Sequence, residues 1–198
     1  GHIADVGATA LIGVGVCFPI IMIVSAFASL IGMGGAPQAS ISMGKGDNQR
    51  AEQIMGNCFS ALILIAVVLT ALVLIFNRPL LYLFGASDNT IGYAVEYIQI
   101  YVIGTLFVQI TLGMNMFISA QGFSTISMLT VVIGAVTNII LDPIFIFGFH
   151  MGVAGAAWAT IISQAVSAVW AVKFLSGKQT VLKLKKKNFR IRPSILFP

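Results

Sequence analysis

The chain has 198 residues, of which 58% are hydrophobic and only 9% are charged. About a quarter of the residues in soluble domains are charged, so this composition excludes an ordinary soluble domain and predicts a protein embedded in lipid. The net charge of +5 comes largely from residues 178–192, which hold seven of the eleven basic side chains. A basic cluster directly after an apolar segment is typical of a cytoplasmic flank that meets anionic lipid, and it argues against nucleic-acid binding.

Five apolar stretches follow one another along the chain, at about residues 8–34, 51–76, 93–120, 123–147 and 152–175. Each is long enough to cross a ~30 Å hydrocarbon layer at ~1.5 Å per residue. Each must be helical, because lipid offers the backbone no hydrogen-bond partners. We therefore expect an all-α integral membrane protein with five transmembrane helices, joined by short polar loops.

The basic residues also predict the orientation of these helices. If the C-terminal tail is cytoplasmic, alternation places ten basic residues on the inner side and Arg78 alone on the outer side. Residues 36–50 and 178–198 are then cytoplasmic, and the first residue of the chain lies outside. If the whole protein starts on the inner side, one further helix upstream is expected. Tyr82, Tyr93 and Tyr97 fall near the outer boundary and Trp170 near the inner one, where aromatic side chains form belts.

The fourth span carries Asn138 and Asp142, which are four residues apart and share one helix face. Pro143 follows and cannot donate a hydrogen bond to the carbonyl of Ile139. A carboxylate, an amide oxygen and a free carbonyl are hard ligands suited to Na⁺ or to a proton, so these residues predict a cation site facing a cavity. A structural aspartate at a simple helix kink is the alternative.

Other polar side chains lie inside the third and fifth spans. Thr105 and Gln109 either line a cavity or form hydrogen bonds between helices. Gln164 could also line a cavity, although helix packing is the expected role of most polar residues in its span. Thr160 is the exception to this packing role. The turn between the fourth and fifth spans is short, so the two helices are expected to be neighbours and Thr160 could lie near the polar residues of the fourth span.

No enzyme motif survives inspection. Residues 32–37 lack the last glycine of a dinucleotide fingerprint, and residues 44–46 lack both the Ser/Thr and the earlier glycine of a phosphate loop. The two histidines and two cysteines are scattered and give no metal-site spacing. We therefore expect no enzyme activity, no cofactor and no metal beyond Na⁺ at Asp142.

Four segments together resemble a known family. The Asn-x-x-x-Asp-Pro segment at 138–148 is similar to the fifth helix of multidrug and toxin extrusion (MATE) transporters, and the glycine-rich segment 152–160 to the start of their sixth. Residues 42–47 and 79–86 resemble segments around their third helix. The resemblance implies that residues 1–177 are helices two to six of the first lobe of a twelve-helix protein, and that 178–198 begin the loop between lobes.

The same resemblance implies a function. MATE proteins are monomeric antiporters of the plasma (inner) membrane, which export cationic or amphipathic drugs in exchange for H⁺ or Na⁺. Asn138, Asp142 and Thr160 match part of their first-lobe cation site, whose remaining aspartate lies on the first helix. The chain departs from many members at Gln121, where they carry arginine.

Two other functions remain open at this point. A flippase for lipid-linked sugars, from the same superfamily, would need a cationic cavity for phosphates, and no Lys or Arg lies in mid-span. A non-transporting structural subunit would need no titrating group at Asp142.

Overall fold

The computed structural model describes residues 2–189, with side chains from residue 7 onward. Every regular element in this range is helical. The helices are α1 (His2–Val16), α2 (Phe18–Gly44), α3 (Asn48–Leu83), α4 (Ile91–Ile103), α5 (Thr105–Ala120), α6 (Ser124–Pro143) and α7 (Gly152–Ser176), with a π-helical turn at Ile144–Gly148 and a 3-10 turn at Lys186–Asn188.

The helices combine into five membrane crossings within the described range, as predicted. Three of them are α3, α7 and α6 with its π-helical turn, and α1 and α2 together form a fourth apolar span over Gly7–Gly44. The helices α4 and α5 form a pair bent by 56°, which is the fifth crossing. The predicted all-α membrane fold is confirmed.

The third crossing was predicted as one continuous helix, and its bend is a correction. The break lies at Gly104, which packs directly against α7: a Cβ atom there would lie 2.6 Å from Cγ1 of Ile161. Only a residue without a side chain allows this approach. The bend gives α4 and α5 separate directions: both contact α3 and α7, but α4 also packs against α1, whereas α5 packs against α2 and α6.

The helices also extend beyond the predicted apolar stretches. Most of the loop expected at 36–50 is helical, because α2 runs to Gly44 and α3 starts at Asn48. Asp47 caps α3 by accepting a hydrogen bond from the Arg50 amide at 2.9 Å. Polar residues at these ends are solvated at the headgroup level, so nothing requires the helix to stop where the apolar residues stop.

Two groups of buried side chains hold the bundle together. One group lies between α2, α3, α5 and α7 and includes Met55, Leu62 and Phe117. The other group holds together α1, α2, α3 and α4 and includes Tyr97 and Tyr101. In contrast, α6 packs mainly against α7 and more weakly against α5. It lies at the edge of the bundle, with much of its apolar surface exposed.

The basic segment after α7 lies against the helix ends rather than free of them, as far as it is described. We call residues 178–189 the strap. Leu182 is fully buried, and the amide of Leu184 donates to the carbonyl of Leu175 at 2.8 Å. The leucines alternate with Lys183 and Lys185: Leu182 is buried, Lys183 is exposed, and Lys185 is half-buried and pairs with Glu52 of α3.

Candidate ion-binding cleft

Close packing of α6 on α7 is fixed at two glycines. A Cβ atom on Gly134 would lie 2.5 Å from Oγ of Ser167, whose hydroxyl donates to the carbonyl of Thr130 at 2.9 Å. A Cβ atom on Gly155 would lie 2.9 Å from the carbonyl carbon of Phe145. These contacts bring α7 close to the middle of α6 and to the π-helical turn that follows it.

Between α5, α6 and α7 lies a cleft of about 260 Å³, which includes Asn138 and Thr160. Its polar side chains are hydroxyls and amides only, and none of its lining residues is charged. We call it the ion cleft. Its lining residues are Thr111, Leu112, Val131, Gly134, Ala135, Asn138, Thr160, Ser163, Gln164 and Ser167.

The hydroxyls of the ion cleft all donate to backbone carbonyls. Thr160 donates to Ala156 at 2.9 Å, Ser163 to Thr160 at 2.8 Å, and Thr111 to Gln164 at 3.2 Å. A hydroxyl whose proton is used in this way still has oxygen lone pairs to offer. The ion cleft therefore presents oxygen atoms that suit a cation rather than an anion.

Two amides of the ion cleft contain atoms that lack partners. Within the described residues, Nδ2 of Asn138 and Oε1 of Gln164 are buried and form no hydrogen bond. Leaving a buried polar atom unpaired costs about 1–3 kcal/mol, so such atoms indicate a ligand, water or further chain at this position. The amide of Asn138 can also turn over to present its oxygen.

Asp142 lies one helical turn beyond Asn138, outside the set of residues that line the ion cleft. Its Oδ1 is buried and has no hydrogen-bond partner among residues 2–189. The one ion pair found in that range joins Lys185 to Glu52 and lies far along the chain from Asp142. The carboxylate is therefore not neutralised by a basic residue of the described chain.

Tyr97 connects these groups, and the sequence analysis missed its role. It is 7% exposed and stacks on Tyr101 with ring centroids 6.1 Å apart. Its hydroxyl lies within side-chain hydrogen-bond reach of Thr160 and close enough to Asp142 for an electrostatic interaction. Tyr97 is buried between α4 and its neighbours α1, α3 and α7, so its ring does not face lipid as an aromatic belt requires; its depth near the outer boundary stays a prediction.

Two of the predicted cavity-lining residues lie elsewhere. Gln109 and Thr105 are fully buried, and Nε2 of Gln109 donates to the carbonyl of Val24 at 2.7 Å. Gln109 thus forms a hydrogen bond between helices, which was the second of the two roles considered for it from the sequence. From α5 it is Thr111 and Leu112 that line the ion cleft, and Gln164 of α7 lines it too.

Only the backbone carbonyl of Ile139, and not its side chain, belongs to the predicted cation site. Its side chain is 70% exposed on the outer face of α6. Pro143 has no amide hydrogen to donate to the carbonyl of Ile139. The next amide, that of Ile144, donates to the carbonyl of Leu141 instead. The carbonyl of Ile139 remains a predicted ligand.

The donor set suits an alkali cation or a proton better than a transition metal. In the part of the chain that the structure describes, no three His, Cys, Asp or Glu side chains come together. One carboxylate with neutral oxygens is the kind of set found where broken helices bind Na⁺ or H⁺.

Comparison with known proteins decides the family. A family model described as MatE matches residues 2–144. The chain belongs to the MATE family. It is therefore a multi-pass protein of the plasma membrane and not an enzyme.

Relatives and solved structures agree with this MATE assignment. The chain is 30% identical over 170 residues to the multidrug export protein MepA of Staphylococcus haemolyticus, covering 86% of this chain and 38% of that protein. It matches an inward-facing multidrug resistance MATE transporter with a TM-score of 0.89 at 28% identity, over 95% of this chain and 43% of that one. It matches an outward-facing one with a TM-score of 0.87 at 26% identity, over 98% and 45%. The chain thus spans about two fifths of the length of these MATE proteins.

Proposed function

We propose that this chain is the ion-coupling part of a secondary antiporter that exports cationic or amphipathic drugs in exchange for H⁺ or Na⁺. The observation that carries the proposal is Asp142, whose buried carboxylate oxygen has no partner in the described chain and lies one turn from the ion cleft. An ionised carboxylate in a membrane span costs about 2.5–3.5 kcal/mol or more at its centre. A coupling cation would offset this cost.

The proposed mechanism starts when H⁺ or Na⁺ reaches Asp142 from the outer side. Asn138 and Thr160 supply neutral oxygens, and the carbonyl of Ile139 supplies another. Neutralising the carboxylate changes the preferred packing of α6 on α7, and this favours release of the drug to the outside. The cation can shift the two states only by the difference between its affinities for them.

The similarity to both an inward-facing and an outward-facing transporter supports a lobe that moves largely as one body. The TM-scores of 0.89 and 0.87 differ little. Alternating access would then arise mainly between this lobe and the rest of the protein. The export of drugs by MepA supports the choice of substrate class.

The distribution of charge disfavours the flippase alternative. A phosphate-bearing sugar lipid needs a cationic cavity, but no lining residue of the ion cleft is basic. A purely structural subunit is disfavoured for a different reason: it would gain nothing from keeping the buried carboxylate oxygen of Asp142 without a partner in the described chain.

The test uses the full-length protein with Asp142→Asn. We expect ion-driven efflux of a fluorescent cation from membrane vesicles to fall about 10-fold or more, since coupling energies between sites are about 1–3 kcal/mol. Imposing a pH gradient or a Na⁺ gradient separately shows which ion drives the wild type.

Glu96→Gln is the matched control, because Glu96 is an exposed carboxylate on α4. It removes the same charge and should leave efflux unchanged. Efflux by Asp142→Asn at the wild-type rate, with both variants equally abundant in the membrane, would refute the coupling role.

A further inference from the structure

A second cleft, of about 400 Å³, lies where α7 ends and the strap begins. We call it the end cleft. Its walls include Ile126 of α6, Trp170, Lys173 and Phe174 of α7, and Lys178 of the strap. It shares no lining residue with the ion cleft.

The length of α7 places the end cleft at the membrane boundary. A helix of 25 residues is about 37 Å long at ~1.5 Å per residue, against ~30 Å of hydrocarbon. If α7 is centred, Lys173 reaches the edge of the hydrocarbon and Trp170 lies one turn deeper. Lysine and tryptophan are the side chains that typically occupy these depths.

The basic groups of the end cleft are free to bind a ligand. Lys173 and Lys178 are exposed, and neither forms an ion pair or a side-chain hydrogen bond with the residues described. Basic side chains outnumber acidic ones at this end of the bundle, where the acids are Asp47 and Glu52. Glu52 is already bound by Lys185 at 2.6 Å.

The rest of the end cleft is apolar and held in place. The ring of Phe174 meets that of Phe123 edge-on, with centroids 5.1 Å apart. Ile126 and Trp170 add further apolar surface to this wall. Trp170 also carries an indole N–H, which is a hydrogen-bond donor.

We propose that the end cleft binds one anionic phospholipid of the inner leaflet. Lys173 and Lys178 bind the phosphate, the Trp170 indole donates to the ester or phosphate oxygens, and the first part of an acyl chain lies against Phe174. Paired cations above an apolar wall match this ligand, whereas a soluble phosphate would leave the wall exposed. The proposal does not depend on which ion drives transport or on the drug.

The test follows Trp170 fluorescence in the full-length protein, reconstituted in phosphatidylcholine vesicles with a small share of brominated phosphatidylglycerol. Bromine quenches an indole that it contacts, and a Trp170→Phe variant defines the Trp170 signal. We expect quenching of Trp170 to saturate at a lower fraction of brominated phosphatidylglycerol than of brominated phosphatidylcholine. Trp158, on the same helix but more than three turns away, should show no such preference.

Removing the two charges identifies the site. Replacing Lys173 or Lys178 by Gln should raise the phosphatidylglycerol fraction for half-quenching about 5-fold each, since one basic residue at an anionic surface is worth about 1 kcal/mol. The control variants Lys186→Gln and Lys187→Gln each remove the same single charge from the strap outside the end cleft. Because neither side chain lines the end cleft, each should change the fraction less than about 2-fold. Arginine at 173 and 178 should restore binding.

Three results would overturn the proposal. Equal effects of the two lysine pairs would show a diffuse basic surface without a site. Equal quenching by the two brominated lipids would show no selectivity for an anionic headgroup. Relief of the quenching by inorganic phosphate at constant ionic strength would show that the ligand is the free anion and not the lipid.

Discussion

Hydroxyl groups in the ion cleft direct their protons away from the space that they line. Thr160 and Ser163 both donate to backbone carbonyls of α7, which leaves oxygen lone pairs toward the cleft. Serine and threonine commonly bond back to the preceding turn of a helix, so this geometry alone does not indicate a site. It becomes meaningful beside Asn138 and Asp142, whose buried atoms have no partner in the described chain.

Thr160→Val tests the hydroxyl at the residue scale, because valine keeps the shape and removes the oxygen. We expect the apparent affinity for the coupling ion to fall about 10-fold or more, since a polar contact with a charged group contributes about 1.5–3 kcal/mol. The measurement is the ion concentration for half-maximal efflux by the full-length protein. Thr137→Val is the control, because Thr137 forms the same kind of back-bond, to Ile133 at 2.7 Å, without lining the ion cleft. An unchanged ion dependence in Thr160→Val would exclude Thr160 as a ligand.

At the scale of elements, the strap is tied to α3, to the end of α7 and to the turn after α5. Glu52 of α3 accepts from the amide of Lys183 at 3.1 Å and from Nζ of Lys185 at 2.6 Å. Gln121, just after α5, accepts at 2.7 Å from both the hydroxyl of Thr180 and the amide of Leu182. An arginine at 121 could not form these bonds, because a guanidinium has no acceptor. The departure from the family at this position therefore has a structural use here.

Gln121→Ala should loosen the strap. It removes the acceptor of two hydrogen bonds, each worth about 0.5–1.5 kcal/mol, so we expect trypsin to cleave after the strap lysines about 5-fold faster or more, in proportion to the open population. Limited proteolysis of the full-length protein in detergent measures this. Ser119→Ala removes an exposed hydroxyl at the same end of α5, which bonds Ser127 and not the strap. Equal cleavage rates in wild type and Gln121→Ala would show that Gln121 does not hold the strap.

Sequence patterns predicted the elements that depend on the chain's own periodicity. Hydropathy located all five crossings, and a spacing of four residues placed Asn138 and Asp142 on one face of α6. The bend at Gly104, the burial of Tyr97 and the docking of the strap were missed. Each depends on a partner helix: Gly104 on Ile161, Tyr97 on the helices around α4, and the strap on Glu52 and Gln121. Tyr97 and Tyr101 share a helix face at the same four-residue spacing, and this was the one available signal for their common burial.

At the scale of the whole molecule, the described residues form a bundle with two distinct polar regions. The ion cleft is neutral and lies between helices, while the basic side chains gather at the end closed by the strap. A cation approaching Asp142 therefore meets no basic residue lining the ion cleft, whereas anionic lipid would be attracted to the opposite region. This separation allows one lobe to bind a coupling ion and to be anchored at the inner leaflet by different residues.

The most direct test of the ion-coupling account is the release of the ion itself. Purified full-length protein is loaded with H⁺ or labelled Na⁺, a cationic drug is added, and the released ion is measured with a pH indicator or by counting. The account predicts release from wild type and from Glu96→Gln, and none above background from Asp142→Asn. Release from Asp142→Asn equal to that of wild type would contradict it.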